Sequence, residues 1–288
     1  MSARRNVSLG VRWTVGDVSA RGWEALRLSV HCAVRLFGSE AAYVICVNTV
    51  PLERARALAG KIPDGVRWAD VGAADIPEFL RPHLDAAMGE GVGWKLLPLR
   101  MFPDRHELAL DNDCILWERP AALTAWMEAD DRTLLAADMT RSLGVFQDTP
   151  MMPGVINSGI RGLPPKFDLG EALRLTLREK SAETSQPVQL ESELDEQGLQ
   201  AVALQRDTPA LVVETREVSI CSPFWPRDPE LGTCGAHFVG LNSRYIPWDY
   251  YDRPGSVVRR EHWDQHRPEL YRRAGLPLRQ ALPMNEPE

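Results

Sequence analysis

The chain has 288 residues, of which 44% are hydrophobic and 25% charged, and its formal net charge at pH 7 is −7. This composition excludes a disordered, collagen-like or membrane-spanning protein, and the acidic balance argues against a broad nucleic-acid-binding surface. The five cysteines are odd in number and form no CxxC pair. They predict reduced, mostly buried thiols of a cytosolic protein rather than a disulfide framework.

The first half of the chain alternates between strand-like and helix-like segments. Apolar residues at every second position predict a strand at 7–11, and apolar residues three or four apart predict a helix at 23–37. A continuous apolar run at 41–47 is typical of a strand buried on both faces. The further elements predicted here are helices at 52–61 and 121–128 and strands at 66–71, 107–110 and 133–137. This alternation predicts an α/β fold with a mainly parallel central sheet flanked by helices.

The second half is less regular. A proline-rich break at 150–153 precedes a strand predicted at 154–160, and a β-branched run occupies 210–220. Helices are predicted at 167–179, 193–205 and 256–273. A proline-containing tail follows the last of them.

The segment Leu108-Ala109-Leu110-Asp111-Asn112-Asp113 runs from apolar residues directly into two carboxylates. In α/β sheets ligands bind beyond the carboxyl ends of the strands, which is where this pair would emerge. Two carboxylates there can share a divalent cation whose other positions are taken by water and substrate phosphates. The same pattern also occurs in ordinary turns and helix N-caps, so the motif alone leaves both interpretations open.

Three distant segments carry further polar groups. His237 lies in a glycine-rich loop, and its imidazole would complete a mixed oxygen and nitrogen site suited to Mn²⁺. Asn157-Ser158-Gly159 reads as a small polar turn that ends an apolar strand. Asp195-Glu196-Gln197 begins a predicted helix, where acidic residues also interact favourably with the helix dipole without any further role.

The order and setting of these pieces resemble the GT-A glycosyltransferases, most closely glycosyltransferase family 8, the glycogenin-like and bacterial galactosyltransferase-like group. The resemblance covers approximately residues 7–248. The matching pieces are Trp94-Lys95-Leu96-Leu97-Pro98, Asp111-Asn112-Asp113, Asp138 after a small-apolar strand, Asn157-Ser158-Gly159, Asp195-Glu196-Gln197, and a loop with His237, Gly240, Pro247 and Trp248.

The chain departs from the family pattern at several positions. Lys95 stands where the family has arginine, which replaces a bidentate contact by a point charge. Glu196 replaces a glutamine and Gln197 replaces an aspartate. The closing loop is about three residues longer than in the family, and Arg244 is the expected counterpart of its diphosphate-binding lysine.

The resemblance implies a metal-dependent transferase that moves a hexosyl group from a nucleotide-diphosphate sugar, with a UDP-sugar favoured, and with retention of configuration. The acceptor would be a carbohydrate, a lipid-linked compound or a protein. The resemblance also implies Mn²⁺ or Mg²⁺ held by Asp111, Asp113 and His237. Catalytic roles are implied for Asp195, Glu196 and Gln197. Donor contacts are implied for Trp13, Thr14, Lys95, Asp111, Asn112, Asp138, Asn157, Gly159, Gly240, Asn242 and Arg244.

Residues 1–250 are expected to form one catalytic domain, followed by a C-terminal helix and tail at 251–288. Within that domain, residues 1–140 would bind the nucleotide-sugar. Residues 141–250 would receive the acceptor and complete the metal site.

Two other functions remain open at this point. A catalytically weak or inactive nucleotide-sugar-binding protein of the same fold is favoured by Lys95, Glu196 and the altered closing loop. A nucleotidyltransferase would show a glycine-rich basic loop directly after the first strand, and residues 11–17 do not supply one.

The C-terminal helix also has two interpretations. Its basic and aromatic residues are Arg259, Arg260, Arg267, Arg272, Arg273, Trp263 and Tyr271. They fit either weak contact with an anionic membrane surface or a solvated helix face with acidic partners such as Glu261 and Asp264. The expected location is the cytoplasm, peripheral to the inner membrane face under the first interpretation.

Overall fold

The computed structural model describes residues 8–84, 94–149, 154–184, 186–222, 229–242, 249–250 and 253–283. The helices longer than one turn in these ranges are α1 (Ala20–Phe37), α2 (Leu52–Ala59), α3 (Ala121–Glu128), α4 (Leu169–Thr184), α5 (Glu193–Leu204) and α6 (Gly255–Ala274). The strands are β1 (Leu9–Val15), β2 (Ala42–Val47), β3 (Val66–Asp70), β4 (His106–Leu110), β5 (Cys114–Leu116), β6 (Leu134–Ala137), β7 (Ile156–Leu163), β8 (Leu211–Val213), β9 (Val218–Ile220), β10 (Gly235–His237), β11 (Asp249–Tyr250) and β12 (Arg253–Pro254).

Seven strands form the central sheet in the order β3-β2-β1-β4-β7-β6-β8. Neighbouring strands pair in parallel except at β7, which is antiparallel to both β4 and β6. The predicted α/β fold with a mainly parallel sheet is therefore confirmed. Because β7 runs opposite to its neighbours, its first residues lie at the same edge of the sheet as the carboxyl ends of β4 and β6.

The two faces of β1 show why the sheet is covered on both sides. Every residue of β1 is buried. On one face the Trp13 indole Nε1 donates a hydrogen bond of 2.9 Å to Ser29 Oγ in α1. On the other face Arg12 forms a buried ion pair of 2.7 Å with Glu107 of β4. One buried face of β1 is thus apolar, whereas the other carries Arg12 and Thr14, which are satisfied by polar partners.

A second, three-stranded sheet with the order β5-β10-β9 lies next to the first. Its strand β5 begins only three residues after Asp111, and β10 pairs antiparallel with β5. This small sheet carries residues from the last third of the chain to the carboxyl end of β4.

Helix α6 packs directly on α1 around one buried glutamate. Glu24 is 0% exposed and accepts hydrogen bonds from Trp263 Nε1, from the guanidinium of Arg267 and from Tyr271 Oη. A buried carboxylate that accepts this many hydrogen bonds fixes the position of the helix that supplies the donors. Residues 255–274 therefore share a core with the first helix of the chain.

Several predicted boundaries and one predicted turn were wrong. The strand predicted at 7–11 continues to Val15. The polar turn predicted at Asn157-Ser158-Gly159 lies inside β7, because Gly159 O accepts the Asp111 N–H at 2.9 Å and a register shift between Leu135 and Ala136 lets pairing with β6 continue. The β-branched run at 210–220 is split into β8 and β9, because a turn at 214–217 sends the chain into the second sheet.

Most of the basic and aromatic residues of α6 that were considered for contact with a membrane have partners within the protein. Trp263 and Tyr271 are buried. The Arg259 guanidinium donates to Gly240 O, that of Arg267 to Glu24 and those of Arg272 and Arg273 to Glu269. The acidic neighbours Glu261 and Asp264 pair with Arg253 and Arg21 instead. Within the described residues no helix is both long enough and apolar enough to cross a bilayer.

Candidate functional site

Polar residues from three strands meet at the edge of the sheet where β4 and β6 end. Asp111 follows β4, Asp138 follows β6, and Asn157 is the second residue of β7. The amide of Asn157 donates to Asp138 Oδ2 at 3.0 Å, and its carbonyl oxygen accepts the Gly159 N–H at 2.6 Å. Two of the predicted donor-binding residues are thus in direct contact, and Asp138 remains partly exposed.

The turn between β4 and β5 fixes the two aspartates of the Asp-Asn-Asp motif. Cys114 N–H donates to Asp111 O at 3.0 Å, which closes the turn. The Asn112 amide points away from the two carboxylates, into the protein, where it donates to Gly22 O at 3.1 Å and to Asn242 Oδ1 at 2.6 Å. Asn112 is 1% exposed. The side-chain amide of Asn112 is thus hydrogen-bonded within the protein, and its contact with a donor stays a prediction.

Asn242, also predicted to bind the donor, holds the second aspartate. Its Nδ2 donates to Asn112 Oδ1 at 3.0 Å and to Asp113 Oδ2 at 3.2 Å. Its backbone oxygen accepts the N–H of Ser19, the residue that caps α1. Gly240, two residues earlier, has φ of +79° and so needs glycine to make this turn.

His237 reaches the aspartates from the other end of the chain. It ends β10 and lies opposite Cys114 of β5, and the next residue, Phe238, donates its N–H to Asp113 O at 3.0 Å. His237 Nε2 is 3.4 Å from Asp113 Oδ1 and 3.9 Å from Asp111 Oδ2.

The imidazole of His237 packs against the bare backbone of Gly159. A Cβ at position 159 would lie 2.3 Å from His237 Cε1 and 2.6 Å from Nδ1. Glycine is needed here to leave room for the ring, which explains why a glycine stands inside a buried strand.

One ligand atom from each of Asp111, Asp113 and His237 lies within 4.8 Å of the others, and all three side chains are buried. Asp113 Oδ1 is buried and has no hydrogen-bond partner among the described residues. Two carboxylates and an imidazole form a donor set that suits Mn²⁺ or Mg²⁺. These residues, predicted from sequence as the metal ligands, are therefore brought together in a way that could hold one divalent cation.

Lys95 is the nearest cation to this cluster. Its Nζ donates to Asp111 Oδ2 at 2.9 Å. Burial would lower the pKa of Lys95, but the carboxylates of Asp111 and Glu196 outweigh burial, and the pKa is raised. Burial raises the pKa of Asp111, but the charges of Lys95, Arg161 and His237 hold it below its usual value. Asp111 is thus ionised at neutral pH.

The pKa of His237 is also shifted by these aspartates. Burial would lower it, but the neighbouring carboxylates of Asp113 and Asp111 raise it above its usual value. A metal ligand must bind through a neutral imidazole, so a bound cation would compete with this proton.

Glu196 lies in the first turn of α5 and is 1% exposed. Its Oε1 is 3.6 Å from the Arg161 guanidinium, and neither of its carboxylate oxygens has a hydrogen-bond partner among the described residues. Burial raises the pKa of Glu196 to about 7, although the charges of Lys95 and Arg161 act in the opposite direction.

The two neighbours of Glu196 in the sequence are occupied by the fold. Asp195 is the third residue of α5 and forms a capping box with Ser192, and it also accepts the N–H groups of Glu191 and Val145. Its carboxylate therefore fixes the start of α5, and its catalytic role stays a prediction. The Gln197 side chain bridges Ser158 N–H and Ser142 O, at 3.2 and 2.7 Å.

Two residues predicted to lie near the base of a donor lie within β1 instead. Trp13 is fully buried under α1, where its indole donates to Ser29, and its contact with a donor stays a prediction. Thr14 is buried on the opposite face, where its Oγ1 donates to Leu97 O at 3.3 Å. Arg244, Pro247 and Trp248, from the predicted closing loop, lie outside the described residues.

Arg161 is the site residue that sequence reasoning missed. It lies on β7 with a side chain 5% exposed, 3.9 Å from Asp111 Oδ1, and it donates to Gln200 Oε1. The available signal was one arginine within the otherwise apolar or small run Ile160-Arg161-Gly162-Leu163. A charged residue in a buried strand needs a partner, and here the partners are the carboxylates of the site.

No family model and no curated protein matches the chain. Solved structures do match, among them a galactosyltransferase, LgtC, in complex with donor and acceptor sugar analogs. It superposes with a TM-score of 0.54 at 17% identity, over 95% of this chain and 100% of that one. An active-site glutamine-to-glutamate mutant of LgtC gives a TM-score of 0.51 at 15% identity, over 92% and 99% of the two chains. This likeness shows the fold, and the chain has the GT-A glycosyltransferase fold.

Proposed function

We propose that this protein is a metal-dependent glycosyltransferase that moves a hexosyl group from a nucleotide-diphosphate sugar, with a UDP-sugar favoured, to an acceptor. The observation that carries the proposal is the buried cluster of Asp111, Asp113 and His237 at the carboxyl end of β4, within a GT-A fold. Ligands of open α/β sheets bind at this edge. The LgtC structure that superposes on this chain holds donor and acceptor sugar analogs, which supports a sugar donor and a sugar-containing acceptor here.

Asp111, Asp113 and His237 would hold one Mn²⁺ or Mg²⁺. The free Oδ1 of Asp113 supports this assignment, because a buried carboxylate oxygen without a donor is costly unless a cation or ligand meets it. When bound, such a cation supplies charge stabilisation to a diphosphate leaving group. Lys95 lies 2.9 Å from Asp111 and adds a positive charge at the same place.

The chain's own polar groups would bind the sugar. Asp138 and Asn157 form a hydrogen-bonded pair at the sheet edge, and the partly exposed Asp138 can accept from sugar hydroxyls. Gly240 would let the backbone approach the diphosphate closely. Gln197 is proposed as a positioning residue, because its amide oxygen accepts from Ser158 N–H and its amide nitrogen donates to Ser142 O.

Glu196 is the proposed catalytic residue next to the reacting sugar. Its carboxylate is buried, and neither oxygen accepts a hydrogen bond among the described residues, so both oxygens keep their capacity to accept from ligand hydroxyl groups. The LgtC mutant above places a glutamate for glutamine change in an active site. We propose that Glu196 stands naturally at the corresponding position, in keeping with the motif in which it replaces a glutamine. The proposed reaction retains configuration, with a leaving-phosphate oxygen taking the acceptor proton, so no protein base is required.

The proposal is tested by incubating the protein with a panel of UDP- and GDP-sugars plus Mn²⁺ and measuring the nucleoside diphosphate released. We expect slow, Mn²⁺-dependent hydrolysis of one donor, abolished in Asp113→Asn and retained in Asp75→Asn, an exposed carboxylate outside the site. Once a product is in hand, NMR should show the anomer of the donor.

Three results would contradict this proposal. Binding of a nucleotide-sugar without release would identify an inactive binding protein of the same fold, and pyrophosphate release would indicate a nucleotidyltransferase. Full activity in Asp113→Asn would remove the metal assignment.

The buried free thiols of all five cysteines fit the cytoplasmic location that we also propose.

A further inference from the structure

Arg161 connects the metal cluster to Glu196. It lies on β7 opposite Ala109 of β4, and its side chain is 5% exposed. Its guanidinium donates to Gln200 Oε1 and lies 3.6 Å from Glu196 Oε1 and 3.9 Å from Asp111 Oδ1. An arginine with this degree of burial is stable only when its charge is paired.

Glu196 depends on this arginine for its pairing. Its carboxylate is almost completely buried, and neither oxygen accepts a hydrogen bond within the described part of the chain. Lys95, the other cation that acts on it, donates its hydrogen bond to Asp111 instead. Among the described residues, Arg161 therefore provides the ion pair of Glu196.

The geometry of this pair leaves both oxygens of Glu196 without a hydrogen bond among the described residues. At 3.6 Å without a hydrogen bond, Arg161 compensates the charge of Glu196 but does not use up its oxygens. The Arg161–Gln200 hydrogen bond holds the guanidinium from the other side. A carboxylate that is fixed in place with free oxygens can accept hydrogen bonds from the hydroxyl groups of a bound sugar.

We propose that Arg161 is a positioning residue for the proposed transfer, on which this inference rests, and that it acts through Glu196 rather than through the cation site. It holds the Glu196 carboxylate at the sugar-binding side of the cluster. Replacing Arg161 would therefore impair turnover more than binding of the nucleotide and metal. The effect should depend on the presence of the Glu196 carboxylate.

A double-mutant cycle tests this assignment at pH 8. The variants are Arg161→Met, Glu196→Gln, the double variant and Arg161→Lys, compared by thermal unfolding, by kcat and donor KM, and by binding of UDP with Mn²⁺. We expect Arg161→Met to lower Tm by about 5–10 °C, because it leaves a buried carboxylate unpaired. The double variant should regain most of this loss.

The kinetic cycle should show the same dependence. Arg161→Met should lower kcat at least about tenfold, with donor KM and UDP–Mn²⁺ affinity within about threefold of wild type. When Arg161→Met is introduced into the Glu196→Gln variant, kcat should change by less than about threefold relative to Glu196→Gln alone. Arg161→Lys, which keeps the charge, should give an intermediate kcat.

Arg12→Met is the matched control. Arg12 is also a buried arginine of the central sheet, and it pairs with Glu107 rather than with Glu196. It should lower Tm to a similar extent, leave kcat per folded molecule within about threefold of wild type, and show no coupling to Glu196→Gln.

Two outcomes would overturn the inference, and they differ from each other. Additive effects of Arg161→Met and Glu196→Gln in an active enzyme would refute the positioning role and leave the proposed function intact. Absence of any donor turnover in the wild type, with coupling seen only in thermal unfolding, would refute the proposed function and reduce Arg161 to a structural ion pair.

Discussion

Glu196 is an acid that the protein buries beside two cations, and it accepts no hydrogen bond within the ranges that the structure describes. Burial has the larger influence on its pKa, which rises to about 7. In the unfolded chain the same group would lose its proton near pH 4.5. Between these two values the folded protein binds one proton more than the unfolded chain, so the contribution of Glu196 to stability falls as the pH rises.

This difference predicts a pH dependence that Glu196→Gln should remove. As the pH is lowered from 7 to 5, the free energy of unfolding of the wild type should rise relative to that of the variant by about 1 kcal/mol per pH unit. Urea denaturation of both proteins across this range measures it. Parallel pH profiles for the two proteins would show that Glu196 titrates normally in the folded state.

At the residue scale, the sequence predicted the candidate metal ligands, because carboxylates and imidazoles are recognisable by residue type. It did not predict which polar side chains form hydrogen bonds within the protein, because that depends on packing. Asp111, Asp113 and His237 meet as predicted. Trp13 and Asn112 were assigned to the ligand, but their polar groups are used by Ser29 and Gly22. Whether a polar atom is free or already satisfied depends on residues far away in the chain, and no local pattern carries that information.

At the scale of elements, α6 holds the loop that supports the metal cluster. The Arg259 guanidinium donates to Gly240 O, and Asn242, two residues on, donates to Asp113 Oδ2. A helix from the end of the chain thus reaches the proposed ligands through two hydrogen bonds. In other metal sites, residues that hydrogen-bond to the metal ligands strongly affect the affinity for the metal.

Arg259→Met is therefore expected to weaken binding of UDP with Mn²⁺ by about threefold to tenfold. Arg272→Met, which changes the same side chain on the exposed side of the same helix, should leave binding unchanged. Calorimetric titration of both variants measures the effect. Equal affinities in the two variants would mean that α6 supports the fold but not the site.

The elements themselves were largely predictable. The bounds of α3 at Ala121–Glu128 agree with the helix predicted from sequence, and α1, α5 and α6 agree within a few residues. Apolar residues three or four apart predicted α1, although the structure buries every residue from 22 to 30 of this helix. The predicted polar turn at 157–159 was wrong because small polar residues favour turns locally, whereas here pairing with Asp111 and the neighbouring strand extends β7 through them.

At the scale of the whole molecule, the proposed metal site depends on bringing together residues more than one hundred positions apart. Asp111 and Asp113 come from the end of β4, whereas His237 comes from β10 of the second sheet. Gly159 of β7 completes the arrangement by leaving space for the imidazole. The order of motifs predicted this meeting, but the role of a glycine that supports a histidine became visible only from the folded chain.

The meeting of Asp111, Asp113 and His237 is tested most directly by measuring Mn²⁺ binding in the presence of UDP. The loss of the EPR signal of free Mn²⁺ reports the amount bound. Wild type and Gly72→Ala, whose new Cβ meets no atom within 4 Å, should each bind one Mn²⁺ per chain. Gly159→Ala places a Cβ 2.3 Å from His237 Cε1 and should weaken binding at least about tenfold. Failure of the wild type to bind Mn²⁺, or equal binding by Gly159→Ala, would contradict the account.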